Sequence, residues 1–221
     1  NPCNMEKIYK WAKVNNVKIV EDCSHAHGAS FNNRKVGTWG DIGIFSLQGA
    51  KAIAAGEGGV AITDNINLAS KMAAYGHQKS YKDFKFFDQT IKIDLPPFGF
   101  GRKMRIHPLG AILALEDMKY LSKKNELYEK WILEIEKLSK NFNGFKIPKK
   151  LSKSKRGGYC SSAVIVFDDK VVAKKFIKDA MANRISVFSR NYSEYIRYYS
   201  NDDNFEKVIA NLKSSFDIFD R

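Results

Sequence analysis

The stretch Val17-Lys-Ile-Val-Glu-Asp22 decides the fold of this chain, because it is a short apolar run that ends in two carboxylates. Runs of this length are typical of buried strands in α/β proteins, which bind their ligands at the carboxyl ends of the strands. A second run, Ile42-Gly-Ile-Phe45, is followed at once by Ser46 and five residues later by Lys51. The sequence therefore places a carboxylate, a hydroxyl and an amine after two strands.

Apolar patterns around these two strands predict further helices and strands. Asn4 can cap a helix whose apolar stripe begins at Ile8, and Asn15-Asn16 ends it. Further along, the patterns predict a strand at 59–63 and a helix at 68–75. Short apolar strands separated by helices indicate a layered α/β fold.

The second half of the chain carries a different pattern. A long helical pattern covers 108–138 with a break near 122–125, and a polar, basic connection follows at 146–158. Beyond it we predict a strand at 162–167, a helix at 171–182 and a strand at 185–188. We therefore predict two domains, a large one over 1–130 and a small α+β domain over 131–221.

Composition excludes several classes of protein. No segment of the 221 residues reaches the apolar length of a membrane span, and no signal-peptide pattern opens the chain. The net charge of +13 comes mostly from scattered lysines, whereas nucleic-acid-binding modules concentrate their charge. The three cysteines, Cys3, Cys23 and Cys160, lack CxxC spacing. We therefore expect a cytoplasmic protein that binds no nucleic acid, membrane or metal.

No candidate residue is diagnostic by itself. An aspartate after a strand is more often a turn former, a lone histidine such as His25 is usually a satisfied polar residue, and most lysines lie on the surface. The run Gly56-Glu-Gly-Gly59 also suits a plain turn, because glycine permits positive φ without any ligand. Order and spacing give the functional interpretation its weight. A lysine amine can form a Schiff base with a carbonyl cofactor and an aspartate can hold a pyridinium proton, which are the groups that pyridoxal phosphate needs most.

Three stretches resemble the DegT/DnrJ/EryC1/StrS aminotransferases, which are sugar aminotransferases of the pyridoxal-phosphate fold type I class. They are Val20-Glu-Asp-Cys-Ser-His-Ala-His-Gly-Ala-Ser30, Lys35-Val-Gly-Thr-Trp-Gly-Asp-Ile-Gly-Ile-Phe-Ser-Leu-Gln-Gly-Ala-Lys51 and Gly56-Glu-Gly-Gly-Val-Ala-Ile-Thr-Asp64. The resemblance implies a large domain with a mixed, mostly parallel sheet flanked by helices, followed by a small α+β domain.

The same resemblance implies roles for four residues toward pyridoxal 5'-phosphate. Asp22 would pair with the protonated pyridine nitrogen, and His25 would lie near the ring hydroxyl. Ser46 would donate its hydroxyl to the cofactor phosphate. Lys51 would be the catalytic residue, forming the Schiff base and later shuttling a proton.

A fifth residue is implied by the segment Gly101-Arg-Lys-Met-Arg-Ile-His-Pro-Leu-Gly-Ala111, which resembles the family's stretch leading into a long helix. Many members carry an asparagine where Lys103 stands, and that side chain reaches the phosphate of the neighbouring subunit's cofactor. A lysine can also bind phosphate, as a point charge. The resemblance thus implies a homodimer with active sites at the interface.

The implied reaction transfers an amino group from an amino acid, with glutamate as the expected donor, to a nucleotide-linked keto-sugar. Two alternatives stay open on the same fold. One is a sugar dehydratase dependent on pyridoxal or pyridoxamine phosphate, whose members typically carry histidine at the position of Lys51, and the other is a non-catalytic or regulatory paralogue. The family's amino-terminal portion has no counterpart in the sequence, so we expect a fragment that binds cofactor poorly alone.

Overall fold

The computed structural model of the chain describes residues 1–76, 104–141, 143–158, 162–183, 187–190 and 193–197. The chain packs into two compact units. The first comprises Asn1–Ser122 together with Leu151–Gly158, and the second comprises Lys123–Lys150 together with Tyr159–Arg221. The predicted domains 1–130 and 131–221 stay a prediction, because packing units need not coincide with domains.

The first unit opens with helix α1 (Met5–Val14), as the sequence predicts. The side chain of Asn4 accepts a hydrogen bond from the backbone N–H of Lys7 at 3.2 Å, which confirms the predicted cap. The elements that follow along the chain are β1 (Val20–Asp22), β2 (Ser30–Phe31), β3 (Arg34–Lys35), β4 (Ile42–Ser46), β5 (Gly59–Ile62), α2 (Ile66–Gly76) and α3 (Pro108–Met118).

A three-stranded sheet in the order β1-β4-β5 positions the candidate residues. Strands β1 and β4 are parallel, with Asp22 opposite Ile44, and β5 runs antiparallel to β4, with Gly59 opposite Ser46. The carboxyl ends of β1 and β4 therefore meet at one edge of the sheet. This partly parallel sheet confirms the predicted mixed α/β fold.

Strand β1 begins later than the apolar run predicted. The backbone N–H of Val17 donates to the carbonyl of Ala12 at the end of α1, at 2.8 Å. The N–H of Ile19 donates to the carboxylate of Asp41 at 2.9 Å. Because these donors already have partners, the regular ladder starts at Val20 rather than at Val17.

A second small sheet brings a distant part of the chain into the first unit. Strand β7 (Ser154–Lys155) pairs antiparallel with β2, which also pairs with β3. The sequence predicts only a polar, basic connection here, so this strand is a correction. We call Leu151–Gly158 the returning segment, because the sequence on both sides of it belongs to the second unit.

The remaining elements begin with α4 (Leu121–Ser139), which follows α3 after a two-residue break at Lys119 and Tyr120, slightly before the predicted one. The second unit contains most of α4, a further helix α5 (Lys170–Ala182), and the strands β6 (Phe145–Lys146), β8 (Ser162–Phe167), β9 (Val187–Arg190) and β10 (Ser193–Arg197). These strands form an antiparallel sheet in the order β6-β8-β10-β9. The core of this unit is apolar and fully buried at Ile135 and Ile165.

Candidate active site

Lys51 lies on the loop between β4 and β5, and backbone hydrogen bonds close this loop. The N–H of Gly49 donates to the carbonyl of Gly56, and the N–H of Ala55 donates to that of Leu47, both at 2.7 Å. The N–H of Lys51 itself donates to the carbonyl of Gln48 at 2.9 Å. The backbone that carries the amine is therefore held in one conformation, as a site for a covalent adduct requires.

His25 contacts the amine of Lys51. The distance between Nε2 of His25 and Nζ of Lys51 is 2.8 Å. An ammonium group has donors only, so Nε2 accepts the hydrogen bond when Lys51 is charged, and the ring proton then resides on Nδ1. The structure thus brings together two residues that the sequence placed in separate loops.

Asp22 ends β1 beside this pair. Its Oδ1 accepts hydrogen bonds from the hydroxyl of Ser24 at 2.5 Å and from the backbone N–H of Ser24 at 3.0 Å. These two bonds hold the pKa of Asp22 below its ordinary value, and the positive charge of Lys51 lowers the pKa further. Its Oδ2 accepts no hydrogen bond from the described part of the chain. Asp22 is exposed and ionised, and it can accept a hydrogen bond from a ligand.

Ser46 ends β4 at the same edge of the sheet. Its Oγ accepts a hydrogen bond from the backbone N–H of Gln48 at 3.3 Å. A hydroxyl that accepts one bond still has its own proton to donate. Ser46 can therefore donate a hydrogen bond to an anionic oxygen, which is the role that the family resemblance implies for it.

Glu21 does not belong to the site, although the sequence placed it beside Asp22 at the ligand edge. Glu21 is buried, and its carboxylate accepts hydrogen bonds from the backbone N–H groups of Gly37, Trp39 and Gly40 at 2.8, 2.6 and 2.7 Å. Successive residues of a strand face opposite sides, so Glu21 and Asp22 point apart. Glu21 holds the loop before β4 in place.

Two buried residues lie beside the site: Cys23, which sequence reasoning missed as a site neighbour, and His27, which the sequence places with His25 in the turn after the first strand. Burial raises the pKa of Cys23 to about 12, and the charges of Glu21 and Asp22 act in the same direction. Burial lowers the pKa of His27, whose ring lies 5.5 Å from that of Phe45, so the ring is neutral at pH 7. The alternation along β1 was the signal for Cys23, because it puts Cys23 on the same buried side as Glu21.

Some predictions cannot be placed on this site. Lys103 lies outside the described residues, and its role toward a phosphate stays a prediction. Among the residues that the structure does describe, no cluster of three histidine, cysteine or acidic side chains suits a metal ion. No helix within the same ranges is long and apolar enough to cross a membrane.

The polar side chains at the carboxyl ends of β1 and β4 suit one kind of ligand. Lys51 offers an amine to an aldehyde, Asp22 an ionised carboxylate to a protonated ring nitrogen, and Ser46 a hydroxyl to an anionic group. All three belong to the first unit. The site can therefore hold a small anionic aldehyde with a basic ring nitrogen.

Known proteins are similar to this chain in sequence and in fold. A family model for the DegT/DnrJ/EryC1/StrS aminotransferase family matches residues 1–220. GDP-perosamine synthase from Escherichia coli O157:H7 is 30% identical over 131 residues, which cover 58% of this chain and 34% of that protein. L-glutamine:2-deoxy-scyllo-inosose aminotransferase from Streptoalloteichus tenebrarius is 48% identical over 69 residues, which cover 31% of this chain and 16% of that protein.

The fold is also that of a solved structure. The X-ray structure of an aminotransferase from Psychrobacter cryohalolentis matches with a TM-score of 0.81 at 20% identity, over 100% of this chain and 67% of that one. The matched stretches span about a third or less of the two curated relatives. Since the family model matches nearly every residue, the chain belongs to the DegT/DnrJ/EryC1/StrS aminotransferase family.

Proposed function

We propose that this protein is a pyridoxal-phosphate-dependent aminotransferase that transfers an amino group from an amino acid to a nucleotide-linked keto-sugar. One observation carries the proposal: the contact of Lys51 with His25 lies beside an ionised Asp22, at the sheet edge that also holds Ser46. Membership in the family supports the same reaction.

The residues present fit this cofactor. In the proposal, Oδ2 of Asp22 accepts the hydrogen bond of the protonated ring nitrogen, and the low pKa of Asp22 keeps that proton on the ring. The hydroxyl of Ser46 donates to the phosphate. Nζ of Lys51 is the group that binds the aldehyde, and His25 orients it from 2.8 Å away. Bound pyridoxal phosphate supplies an electron sink for the carbanion of the amino-acid donor.

Lys51 also serves as the acid and base of the proposed reaction. With an amino-acid donor bound, the amine of Lys51 would take a proton from the substrate carbon, hold it at Nζ and donate it back to the bound substrate–cofactor group. Nε2 of His25 can hold the charged amine between these two transfers. His27 is buried and neutral, so it adds no positive charge beside the amine of Lys51.

The substrate class rests on the relatives. One relative is named as a GDP-perosamine synthase, and another as an aminotransferase that uses L-glutamine. We therefore propose a nucleotide-linked keto-sugar as the acceptor and an amino acid such as glutamate as the donor. A donor screen should include both glutamate and glutamine.

The test is the substitution Lys51→Ala in protein incubated with pyridoxal phosphate. At saturating concentrations of pyridoxal phosphate, we expect the unsubstituted protein to show the absorption band of a lysine-bound cofactor, and to give the mass of that adduct on Lys51 after borohydride reduction. Lys51→Ala should lose both signals, whereas the matched control Lys10→Ala, on the exposed face of α1, should keep them. A band that survives in Lys51→Ala would overturn the proposal.

Activity assays separate transamination from the alternatives on the same fold. Incubation with a nucleotide-linked keto-sugar and glutamate should yield amino-sugar and 2-oxoglutarate in equal amounts. Loss of a sugar hydroxyl without incorporation of nitrogen would indicate a dehydratase instead. Cofactor binding without either product, over a panel of keto-sugars, would indicate a regulatory paralogue.

A further inference from the structure

The returning segment, Leu151–Gly158, is fixed to the first unit by its backbone. Ser154 and Lys155 form β7 and pair with Phe31 and Ser30 of β2. The backbone N–H of Asn32 donates to the carbonyl of Lys153 at 2.7 Å, which extends this pairing. A segment from the second half of the sequence thus lies against the chain just after the loop that carries His25.

Side chains of the returning segment strengthen this attachment. Arg156 is buried, and its Nε donates to Oδ1 of Asn1 at 2.9 Å. Nζ of Lys153 lies 3.7 Å from Oε2 of Glu6 at the start of α1. Since Arg156 directly precedes two glycines, its burial fixes the position at which those glycines meet the first unit.

The two glycines lie in backbone contact with the loop of residues 25–29. A Cβ atom on Gly157 would lie 2.3 Å from the backbone nitrogen of Ala29. A Cβ atom on Gly158 would lie 2.5 Å from the carbonyl oxygen of His25 and 2.5 Å from the nitrogen of His27. Contacts this short with backbone atoms cannot be relieved by turning a side chain, so only glycine fits at both positions.

The same loop presents the ring of His25 to Lys51. Backbone atoms of residues 25–27 rest on Gly158, and Nε2 of His25 reaches Nζ of Lys51 at 2.8 Å. Because Gly158 contacts the backbone of residues 25–27, a displacement of that backbone moves the imidazole of His25 relative to the amine of Lys51. A shift of about 1 Å in a group that positions a reacting atom can reduce turnover by about 10²-fold.

We propose that Gly157 and Gly158 are positioning residues of the active site, which hold the His25 loop so that the imidazole meets the amine of Lys51. Their importance for turnover rests on the proposed function, whereas their effect on the contact between His25 and Lys51 does not. Residues of the catalytic machinery are therefore positioned by a segment more than a hundred residues away in sequence.

The test compares Gly158→Ala with Gly144→Ala in cofactor-free protein. Gly158 and Gly144 have positive φ angles of 82° and 93°, so alanine meets a similar backbone strain at both. A Cβ atom on Gly144 meets nothing within 4 Å, and Gly144 belongs to the second unit. The pair thus separates the clash with the His25 loop from the strain of the backbone.

The readout is nuclear magnetic resonance of the histidine imidazoles. We expect Gly158→Ala to shift the Nε2 resonance of His25 and to remove the nuclear Overhauser effect between His25 and the Lys51 side chain, and Gly144→Ala to do neither. In the active protein, Gly158→Ala should also lower kcat. A folded Gly158→Ala variant with unchanged His25 signals would overturn the inference, even if transamination is demonstrated.

A second variant covers the case in which Gly158→Ala does not fold. Arg156→Lys adds no atom to the His25 loop, but it removes the guanidinium that donates to Asn1. We expect faster amide exchange at Gly157 and Gly158 together with a shifted His25 resonance. His25 signals that stay unchanged in Arg156→Lys would contradict the inference. Since no cofactor is present, this result is independent of whether the protein is an aminotransferase.

Discussion

Nζ of Lys51 lies 2.8 Å from Nε2 of His25, although the two residues are 26 positions apart in sequence. Their contact joins the loop after β1 to the loop after β4, the two neighbouring strands that run parallel. This contact distinguishes Lys51 from an ordinary surface lysine and makes it a candidate catalytic residue. The amine gains a fixed partner on one side and an ionised carboxylate, Asp22, nearby.

Replacement of Glu21 by alanine should destabilise the first unit strongly. Three backbone N–H groups donate to this buried carboxylate, and alanine would leave them without an acceptor. Because each buried donor that loses its partner costs about 1–3 kcal/mol, we expect the free energy of unfolding to fall by about 3 kcal/mol or more. Denaturant titration would measure the change. The exposed Glu57→Gln should change it by less than about 0.5 kcal/mol, and an equal loss in both variants would contradict the role of Glu21.

Replacement of Ser24 by alanine should raise the pKa of Asp22 toward its ordinary value. The hydroxyl of Ser24 is the largest cause of the lowered pKa, and alanine removes it. A carboxylate whose pKa is lower in the folded state stabilises the protein above the unfolded pKa, and this stability is lost as pH falls through the folded pKa. Carbon-13 titration of the Asp22 carboxyl would show the shift, with the exposed Ser152→Ala as control. An unchanged Asp22 titration in Ser24→Ala would refute this account.

Cys23 should resist thiol reagents in the folded protein, whereas Cys3 should react. Cys3 is exposed and Cys23 is buried, and burial raises the pKa of Cys23 to about 12 from an ordinary value of 9.0. Since the thiolate is the reactive form, iodoacetamide at pH 8 should label Cys3 alone of the two. As pH rises above 9, the unfolded chain loses the Cys23 proton first, so the free energy of unfolding should fall. Peptide mass spectrometry checks the labelling, and equal rates at both cysteines would contradict the prediction.

Acidification should destabilise the protein through His27. Burial lowers the pKa of His27 in the folded state, so the unfolded chain binds the proton more readily. The free energy of unfolding should therefore fall as pH drops below the unfolded pKa of about 6.5. His27→Gln should flatten this fall between pH 7 and pH 5. A slope that persists in His27→Gln would assign the effect to other groups.

The sequence predicted much of this arrangement because strong local patterns carry it. Apolar runs located β4, β5 and α2, and the order of Asp22, Ser46 and Lys51 placed them after two strands that prove to be neighbours. Parallel strands share one carboxyl edge, so order along the chain was enough to bring these side chains together.

Two features could not be predicted, for a physical reason. The two-residue strand β7 is polar and has no periodicity, so its pairing with β2 depends on contacts between distant parts of the chain. The opposite roles of Glu21 and Asp22 follow from strand alternation, but alternation alone does not tell which of two neighbouring carboxylates faces inward. Only the position of the loop at Gly37–Gly40 decides that Glu21 is the buried one.

The returning segment limits where this polypeptide can be truncated. A polypeptide cut after Lys150 would retain Asp22, His25, Ser46 and Lys51 in its sequence, yet it would lack β7 and both glycines beneath the His25 loop. A minimal piece that keeps the four candidate residues together with β7 and both glycines is therefore discontinuous in sequence. An engineered version would need a linker that carries Leu151–Gly158 back to β2 in place of the elements of the second unit.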